Sequence, residues 1–583
     1  MCTINTSSIQ STSSLTTAHR EYSALKALEY YDLRDMILQP KHLRTAPVSE
    51  RELVRCMNTF KVNQPQAEAI MGTIRRPKGF TLIQGPPGTG KTKTILGLLA
   101  SLISQQSMKN DRSSIQTPVH EQTTDLSGKL LICAPSNAAV DEIVKRVMEG
   151  IAGPEGKMFP KIVRIGKSES INSSVKDVCL EPLIEKEIQS LNLRKQANDK
   201  RGNPREKLME EMRKIKLTLD ELDKEMAQAE GDPVRYANIN DRRRALMGKK
   251  RNLAVSLDEE SHKRTEFSRD LEIAKQRAKQ KILSEADIVS CTLSGSGHEM
   301  LTSIGISFET VIIDEAAQSI EISSLIPLKY DCQRCVLVGD PNQLPPTVLS
   351  QLASKYSYEQ SLFVRLQKMA PDDVFLLSIQ YRMHPEISLF PSKLFYESRL
   401  KDGPGLAELT KVEWHKNACF MPYQFLNILD GKESMGSGKS LYNTKEAEAA
   451  VTLVDSLVSK FPAVNFAYRI GIITPYKQQL RELRNQFERQ YGREILNVID
   501  FNTVDGFQGQ EKDIIIFSCV RAGHDRGIGF LSDIRRMNVG LTRAKSSLFV
   551  LGHSQSLNGS EYWGDLVSDA KRRHVHIDVS QHI

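Results

Sequence analysis

The chain has 583 residues, 40% of them hydrophobic and 26% charged, with a formal net charge of +8. That length exceeds what one hydrophobic core organises, so at least two domains are expected. No apolar run reaches the roughly 18 residues that a membrane span needs. No basic-then-apolar signal segment opens the sequence, so an intracellular protein with no membrane partner is expected.

Taken in chain order, residues 1–17 are rich in Ser and Thr and read as disordered. Residues 18–60 read as a helical lead-in with apolar positions at Tyr22, Leu25, Leu28, Tyr31, Leu33 and Ile37. From Phe80 onward, short apolar runs end in glycine or polar turns and lead into helical patterns. That rhythm is the signature of a parallel sheet with crossover helices. Strands are predicted at Thr81 to Ile83, Leu130 to Cys133, Val311 to Ile313 and Val336 to Val338. Over 166–285 charged sequence replaces the rhythm, and Leu208, Met212, Ile215, Leu219, Leu222 and Met226 alternate in spacing between four and three. This is the heptad seam of a packed helix. After a turn predicted over Gly231 to Asn240, a second seam runs through Leu246, Leu253, Leu257, Phe267, Leu271 and Ala274. Together they predict an antiparallel helical hairpin. Its basic runs, Arg242 to Arg244 and Lys249 to Arg251, read as a solvated face, with a nuclear-localisation or nucleic-acid patch as the sharper alternative. Strand-like runs resume at Phe375 to Leu377, Ile470 to Ile473, Ile514 to Cys519 and Leu548 to Leu551, which predicts a second α/β domain.

Of nine cysteines, only Cys332 and Cys335 form a CxxC, with no second pair at zinc-finger spacing. With Cys133 and Cys519 in apolar runs, reduced thiols are the favoured reading. The positive net charge is compatible with a polyanionic partner.

Gly85-Pro86-Pro87-Gly88-Thr89-Gly90-Lys91-Thr92 fits the phosphate-binding pattern G-x-x-x-x-G-K-[ST], and it stands between a predicted strand and the helical run of Ile95, Leu96, Leu98 and Leu99. Backbone N–H groups and the helix N-terminus would surround phosphates, Lys91 would reach the β- and γ-phosphates, and the Thr92 hydroxyl would ligate Mg²⁺. Asp314 and Glu315 end another predicted strand, as a metal-side carboxylate and a candidate general base. Gln343 follows a third strand end as a candidate γ-phosphate sensor, and Arg382 and Arg543 are candidate arginine fingers.

In combination these segments resemble the superfamily 1 helicases of the group containing senataxin and the nonsense-mediated-decay helicase, nearest to fungal senataxin-like termination helicases. The resemblance covers about residues 20–574 and rests on Asn63-Gln64-Pro65-Gln66, GPPGTGKT, Ala134-Pro135-Ser136-Asn137, Asp314-Glu315-Ala316-Ala317-Gln318, GDPNQLPP, QYRMHP, Thr474-Pro475-Tyr476, the run Asp505 to Glu511, and NVGLTRAK. It implies two tandem RecA-like P-loop domains, the first over 61–165 and 286–370 and the second over 371–574. The hairpin at 166–285 would be a prong inserted in the first, 18–60 a stalk-like lead-in and 575–583 a tail. It further implies that Gln66 recognises adenine, Tyr381 stacks on it and Glu511 contacts the ribose side, so that ATP is the nucleotide. Pro135, Ser136, Asn137, Thr292, Thr474, Pro475 and Thr503 would line the nucleic-acid path, holding phosphates without reading bases. Single-stranded RNA or DNA would be the track, travelled 5′ to 3′. Transcription termination, R-loop removal, a nuclear (also cytoplasmic) location, RNA polymerase or termination partners and a monomeric state are the matching expectations. The family's β-barrel accessory before the adenine segment has no counterpart in the sixty-odd residues preceding Gln66. Two rivals remain: a nucleotide-gated clamp or scaffold with weak unwinding, and a P-loop GTPase or small-molecule kinase.

Overall fold

The computed structural model describes residues 15–40, 47–113, 128–190, 204–229, 231–348, 350–436, 438, 440–523 and 527–579. Contacts divide the chain into two compact units, Met1–Ile162 with Asp287–Ile583, and Val163–Ala286.

The larger unit begins with α1 (Thr16–Lys26), so residues 16 and 17, expected to be disordered, start a helix. Residues 1–14 of that stretch lie outside the described residues. On α1 the buried positions are Glu21 and Ala24, while Tyr22 and Leu25 are exposed, contrary to the apolar face read from spacing. Arg20 Nη1 donates to the Ser294 carbonyl at 2.7 Å, and Glu21 accepts from the Ser323 hydroxyl at 2.5 Å. Polar anchors rather than apolar periodicity therefore orient this helix. After α2 (Glu50–Phe60), α3 (Gln64–Ile74) opens with a reciprocal box in which Asn63 and Gln66 each bond the other's backbone.

The strand β1 (Gly79–Gln84) leads into α4 (Lys91–Ser113), and β2 (Leu130–Ala134) into α5 (Asn137–Met148). Within Val163–Ala286, α6 (Leu180–Ser190), α7 (Pro204–Gln228) and α8 (Pro233–Glu285) form the second unit. The predicted turn shrinks to Gly231-Asp232, because Asp232 accepts hydrogen bonds from the Val234 and Arg235 N–H groups and starts the helix there. Leu222, Ala229 and Ile239 form the buried core of the pair, with Met226 and Leu246 against it.

The larger unit resumes with β3 (Ile288–Thr292), β4 (Thr310–Ile313), β5 (Arg334–Gly339) and β6 (Val374–Leu376). All pairings are parallel, in the order β3-β2-β4-β5-β1-β6. Strand β6, read from sequence as the start of the second domain, instead completes the first sheet, with Leu82 opposite Val374. The Phe375 ring lies where a Cβ on Gly72 would stand, so α3 receives it only because that position is glycine.

Next come α9 (Pro385–Phe395), β7 (Tyr423–Ile428), α10 (Thr444–Lys460), β8 (Ile470–Thr474), α11 (Lys477–Tyr491), β9 (Asp500–Thr503), β10 (Lys512–Ser518), α12 (Ile534–Leu541), β11 (Ala544–Gly552), α13 (Glu561–Arg572) and β12 (His576–Val579). The second sheet is ordered β9-β8-β10-β11-β7-β12, again parallel. Along β10 successive side chains alternate between two cores: Ile514 and Ile516 pack with α10 and α11, Ile515 and Phe517 with α9, α12 and α13. Residues 576–579, read as a tail, are thus the sheet's edge strand, with His576 stacked on Phe425 at 5.4 Å.

Glu446 on α10 is fully enclosed and accepts from the Ser518 hydroxyl (2.6 Å) and the Val520 N–H (2.8 Å). Burial outweighs these donors and pushes its carboxyl up to about 8. The native state therefore keeps a proton that the unfolded chain releases near the ordinary carboxylate value. The contribution of Glu446 to stability is fully present below that value and is lost as pH rises through about 8. Glu446→Gln should flatten the decline, read as the urea midpoint across that range. An unchanged slope would remove Glu446 as its source.

Candidate nucleotide and nucleic-acid site

Parallel sheets gather loops at the carboxyl ends of their strands, and ligands bind there. In the first sheet β1 delivers Gly85 to Thr92, β4 delivers Asp314 and Glu315, and β5 delivers Asp340 and Gln343. The second domain presents Tyr381, Arg382, Glu511 and Arg543 to the same cleft, of about 1120 Å³, whose walls include Pro86 to Thr92.

The loop after β1 needs glycine twice. Gly88 has φ +74° and Gly90 φ +80°. A Cβ on Gly88 would lie 2.6 Å from Arg382 Cβ, and one on Gly90 2.6 Å from Gln66 Nε2. The Tyr381 N–H donates to the Gly88 carbonyl at 2.8 Å, a backbone bond that joins the second domain to the loop. Lys91 Nζ donates to the Gly85 carbonyl (3.1 Å) and lies 3.9 Å from Glu315 Oε1.

Asp314 is buried, and its Oδ1 accepts from the Glu315 N–H at 2.9 Å. Burial, with the adjacent Glu315 charge, drives its carboxyl up to about 7 against the opposing pull of Lys91 and that N–H. Glu315 takes a left-handed backbone, φ +50°, and its Oε2 accepts from Gln318 Nε2 at 2.6 Å. Gln318 is a cleft residue to which sequence reasoning gave no role, although its motif contains it.

Arg543 is buried. Its hydrogen bonds run to the Val539 carbonyl (2.9 Å), the Thr542 hydroxyl (3.2 Å) and the Gln343 amide oxygen (3.4 Å). Among the described residues, no carboxylate pairs with it. Burial, reinforced by the like charge of Arg382, lowers its guanidinium to about 9. Arg382 is paired differently: its Nε donates to Glu511 Oε2 at 2.6 Å, while Lys545 holds Glu511 Oε1 at 2.9 Å. Burial would raise the Glu511 carboxyl, but the two cations outweigh it and hold it below its ordinary value.

Gln66 and Glu511 are engaged by protein partners. Gln66, assigned to adenine, is buried with Nε2 donating to the Thr89 carbonyl (2.9 Å) and Oε1 accepting from the Asn63 N–H (3.0 Å). Its amide braces the phosphate loop from behind. Glu511, assigned to the ribose side, is engaged by Arg382 and Lys545. Tyr381 is 46% exposed at the cleft, its hydroxyl accepting from Asn63 Nδ2 at 3.2 Å. Lys545 and Arg146 also line the cleft. Lys545 closes the NVGLTRAK motif, whereas nothing in the sequence around Arg146 points to it.

Of the residues expected along the nucleic-acid path, Ser136 lines the nucleotide cleft, and Pro135 and Asn137 flank it at the start of α5. Thr292 ends β3 opposite Ala134, and Thr474 and Thr503 face each other at the ends of β8 and β9, with Pro475 next. Their hydroxyls cap local turns: Ser136 Oγ accepts from the Ala139 N–H, Thr292 Oγ1 from Gly295, Thr474 Oγ1 from Tyr476 and Thr503 Oγ1 from Gly506.

A buried polar chain joins the two domains behind the cleft. The Tyr396 hydroxyl donates to Asp340 Oδ2 (2.7 Å) and accepts from Asn538 Nδ2 (2.8 Å), and Gln343 Nε2 donates to the same Asp340 oxygen (2.8 Å). Tyr396→Phe leaves the ring but removes a donor from a buried carboxylate. We expect a loss of about 1–3 kcal/mol in urea unfolding; no loss would show that the hydroxyl contributes nothing there.

Two tandem domains with parallel α/β sheets thus share a cleft walled by a phosphate-loop sequence, the architecture of the P-loop helicase fold. Residues 61–351 and 358–555 each match a family model described as an AAA domain. Over 579 residues the chain is 44% identical to helicase sen1 of Schizosaccharomyces pombe, covering 97% of this chain and 33% of that protein. Over 593 residues it is 44% identical to helicase SEN1 of Saccharomyces cerevisiae, covering 96% and 25%. It is 35% identical over 627 residues to the probable helicase MAGATAMA 3 of Arabidopsis thaliana, covering 97% and 68%. The chain belongs to the Sen1/senataxin family of helicases. It spans a third or less of the two yeast relatives. No helix among the described residues is long and apolar enough to cross a membrane.

Proposed function

We propose that the chain is an ATP-dependent helicase or translocase acting on single-stranded RNA or DNA. The observation that carries this reading is Arg543, a buried cation without a carboxylate partner among the described residues, reaching from the second domain into a cleft walled by the first domain's phosphate loop and carboxylates. A buried charge of this kind is compensated when an anion enters.

In this reading Lys91 and the backbone of Gly85 to Thr92 hold the phosphates, and Glu315, oriented by Gln318, takes a proton from water. Asp314 and Thr92 would hold Mg²⁺. The fit rests on Asp314 itself, a desolvated carboxylate whose raised pKa a cation would reverse. Such an ion supplies neutralisation of phosphate charge. Tyr381 stacks on adenine, and Gln66 reads it by exchanging Thr89 and Asn63 for the base. Closure of the domains moves Arg382 from Glu511 to the γ-phosphate, which frees Glu511 for the ribose. Gln343, bonded to both Asp340 and Arg543, senses that change. Pro135, Ser136, Asn137, Thr292, Thr474, Pro475 and Thr503 track the strand, and cycles of closure advance it 5′ to 3′. The helical pair of α7 and α8 serves as the prong. A nuclear role in transcription termination and R-loop removal, in contact with RNA polymerase, accords with the family.

Duplexes carrying a 5′ or a 3′ single-stranded overhang test this directly. ATP-dependent displacement from the 5′ overhang is expected. Strand-stimulated hydrolysis with no displacement from either would instead favour the nucleotide-gated clamp.

A further inference from the structure

Beside the ends of β8 and β9 the structure spends organisation on an aromatic ring that faces solvent. Phe530 is 58% exposed, in the short 3-10 turn Gly529–Ser532. An exposed phenylalanine by itself is unremarkable. What surrounds this one is a rigid mount. Its ring lies 5.6 Å from the Tyr476 ring at 60°, and Tyr476 is buried with its hydroxyl donating to the Ile528 carbonyl at 3.3 Å. Gly529 has φ +55°, and a Cβ there would come within 2.9 Å of the Tyr476 hydroxyl. Beneath the turn Arg521 pairs with Glu433 at 2.7 Å, their side chains only 6% and 11% exposed. Leu531, the next residue, is buried in the domain core, its carbonyl accepting from Trp563 Nε1 at 2.8 Å.

The ring also carries a cation. The Arg536 guanidinium carbon is 5.8 Å from its centroid, and the same guanidinium bonds both oxygens of Asp505 at 2.9 and 3.1 Å. Phe530 is thus tied through Tyr476 to the turn after Thr474, and through Arg536 and Asp505 to the turn after Thr503. Those threonines are register partners at adjacent strand ends, the positions expected to hold phosphates.

We infer that Phe530 is a stacking platform for one base of a single strand whose phosphates run over the Thr474 and Thr503 turns, an inference that rests on the nucleic-acid reading above. The π-face suits any base, while Asp505 and Asp533 neutralise the guanidinium that carries the ring, so stacking and not charge supplies the binding. Hydroxyls at strand ends fix the backbone, and a rigid exposed ring fixes the register of a base without reading its identity.

The test uses the full chain and a fluorescein-labelled single-stranded oligouridine, with its DNA counterpart alongside. Phe530→Ala should weaken binding about tenfold by anisotropy. The strand concentration that half-saturates ATP hydrolysis should rise in parallel. Phe530→Leu, which keeps apolar surface but no ring, should behave like Phe530→Ala. Because the loss comes from stacking, the slope of log affinity against log salt should match wild type. Phe530→Trp should restore affinity, and its emission should be quenched by the strand; the native Trp414 and Trp563 are buried. Wild-type affinity in Phe530→Ala, or unquenched emission in Phe530→Trp, would overturn the inference alone. Failure of wild type to bind either strand would overturn the nucleic-acid reading with it.

Discussion

Replacing Arg543 with alanine should lower strand-stimulated hydrolysis by at least about 10³-fold, the scale on which an arginine finger acts. The physical ground is its environment. Every hydrogen bond it makes among the described residues is to a neutral oxygen, and burial already lowers its guanidinium to about 9. Such a residue stores unfavourable electrostatic energy until an anion arrives, so its removal should leave the urea midpoint near wild type while activity collapses. Arg543→Lys keeps a charge but loses the planar fork that reaches Gln343 and a phosphate together, and should recover only part of the rate. A variant that loses stability and activity in proportion would make Arg543 a structural residue.

Lys91→Ala should abolish measurable turnover, a fall of at least about 10²-fold, together with weakened nucleotide binding. Among the described residues, Lys91 Nζ bonds only the Gly85 carbonyl at 3.1 Å and stands 3.9 Å from Glu315. Alanine there removes the cation nearest both cleft carboxylates and leaves Asp314 and Glu315 repelling incoming phosphates. Its fold should be intact, since Lys91 begins a helix anchored by Ile95, Leu98 and Leu99. Turnover within a few-fold of wild type would contradict the role given to the loop.

The first sheet was legible because a parallel strand covered on both faces reads as an unbroken apolar run. Thr81 to Ile83, Leu130 to Cys133, Val311 to Ile313 and Val336 to Val338 each fall inside an observed strand. Strand β7 escaped notice because Gln424 and Asn427 interrupt it. Both are buried, the first donating to the Ala418 carbonyl and the second to Asp578, partners that no apolar periodicity announces. For β6 the strand was seen and the sheet was not: Val374 to Leu376 pairs with β1, and sequence order does not say which sheet recruits a strand near a domain junction. The hairpin seam was legible from Leu208 to Met226, but its turn was drawn too long because Asp232 caps the second helix at once.

At the site, Gly85 to Thr92, Asp314, Glu315 and Gln343 were recognisable because they follow the ends of apolar strands. Their partners were not. Whether Arg382 faces a phosphate or Glu511, and whether Gln66 faces adenine or Thr89, depends on how loops from two domains meet. The exposed ring of Phe530 sits outside the phosphate-binding patterns, and only its mount distinguishes it from any surface phenylalanine.

The most direct test is steady-state ATP hydrolysis by the purified chain with and without single-stranded RNA or DNA, in wild type and Lys91→Ala. Hydrolysis that rises about tenfold or more with strand, and vanishes in the variant, is the expected result. Hydrolysis that is absent, indifferent to the strand, or retained in Lys91→Ala would contradict a motor driven by this cleft.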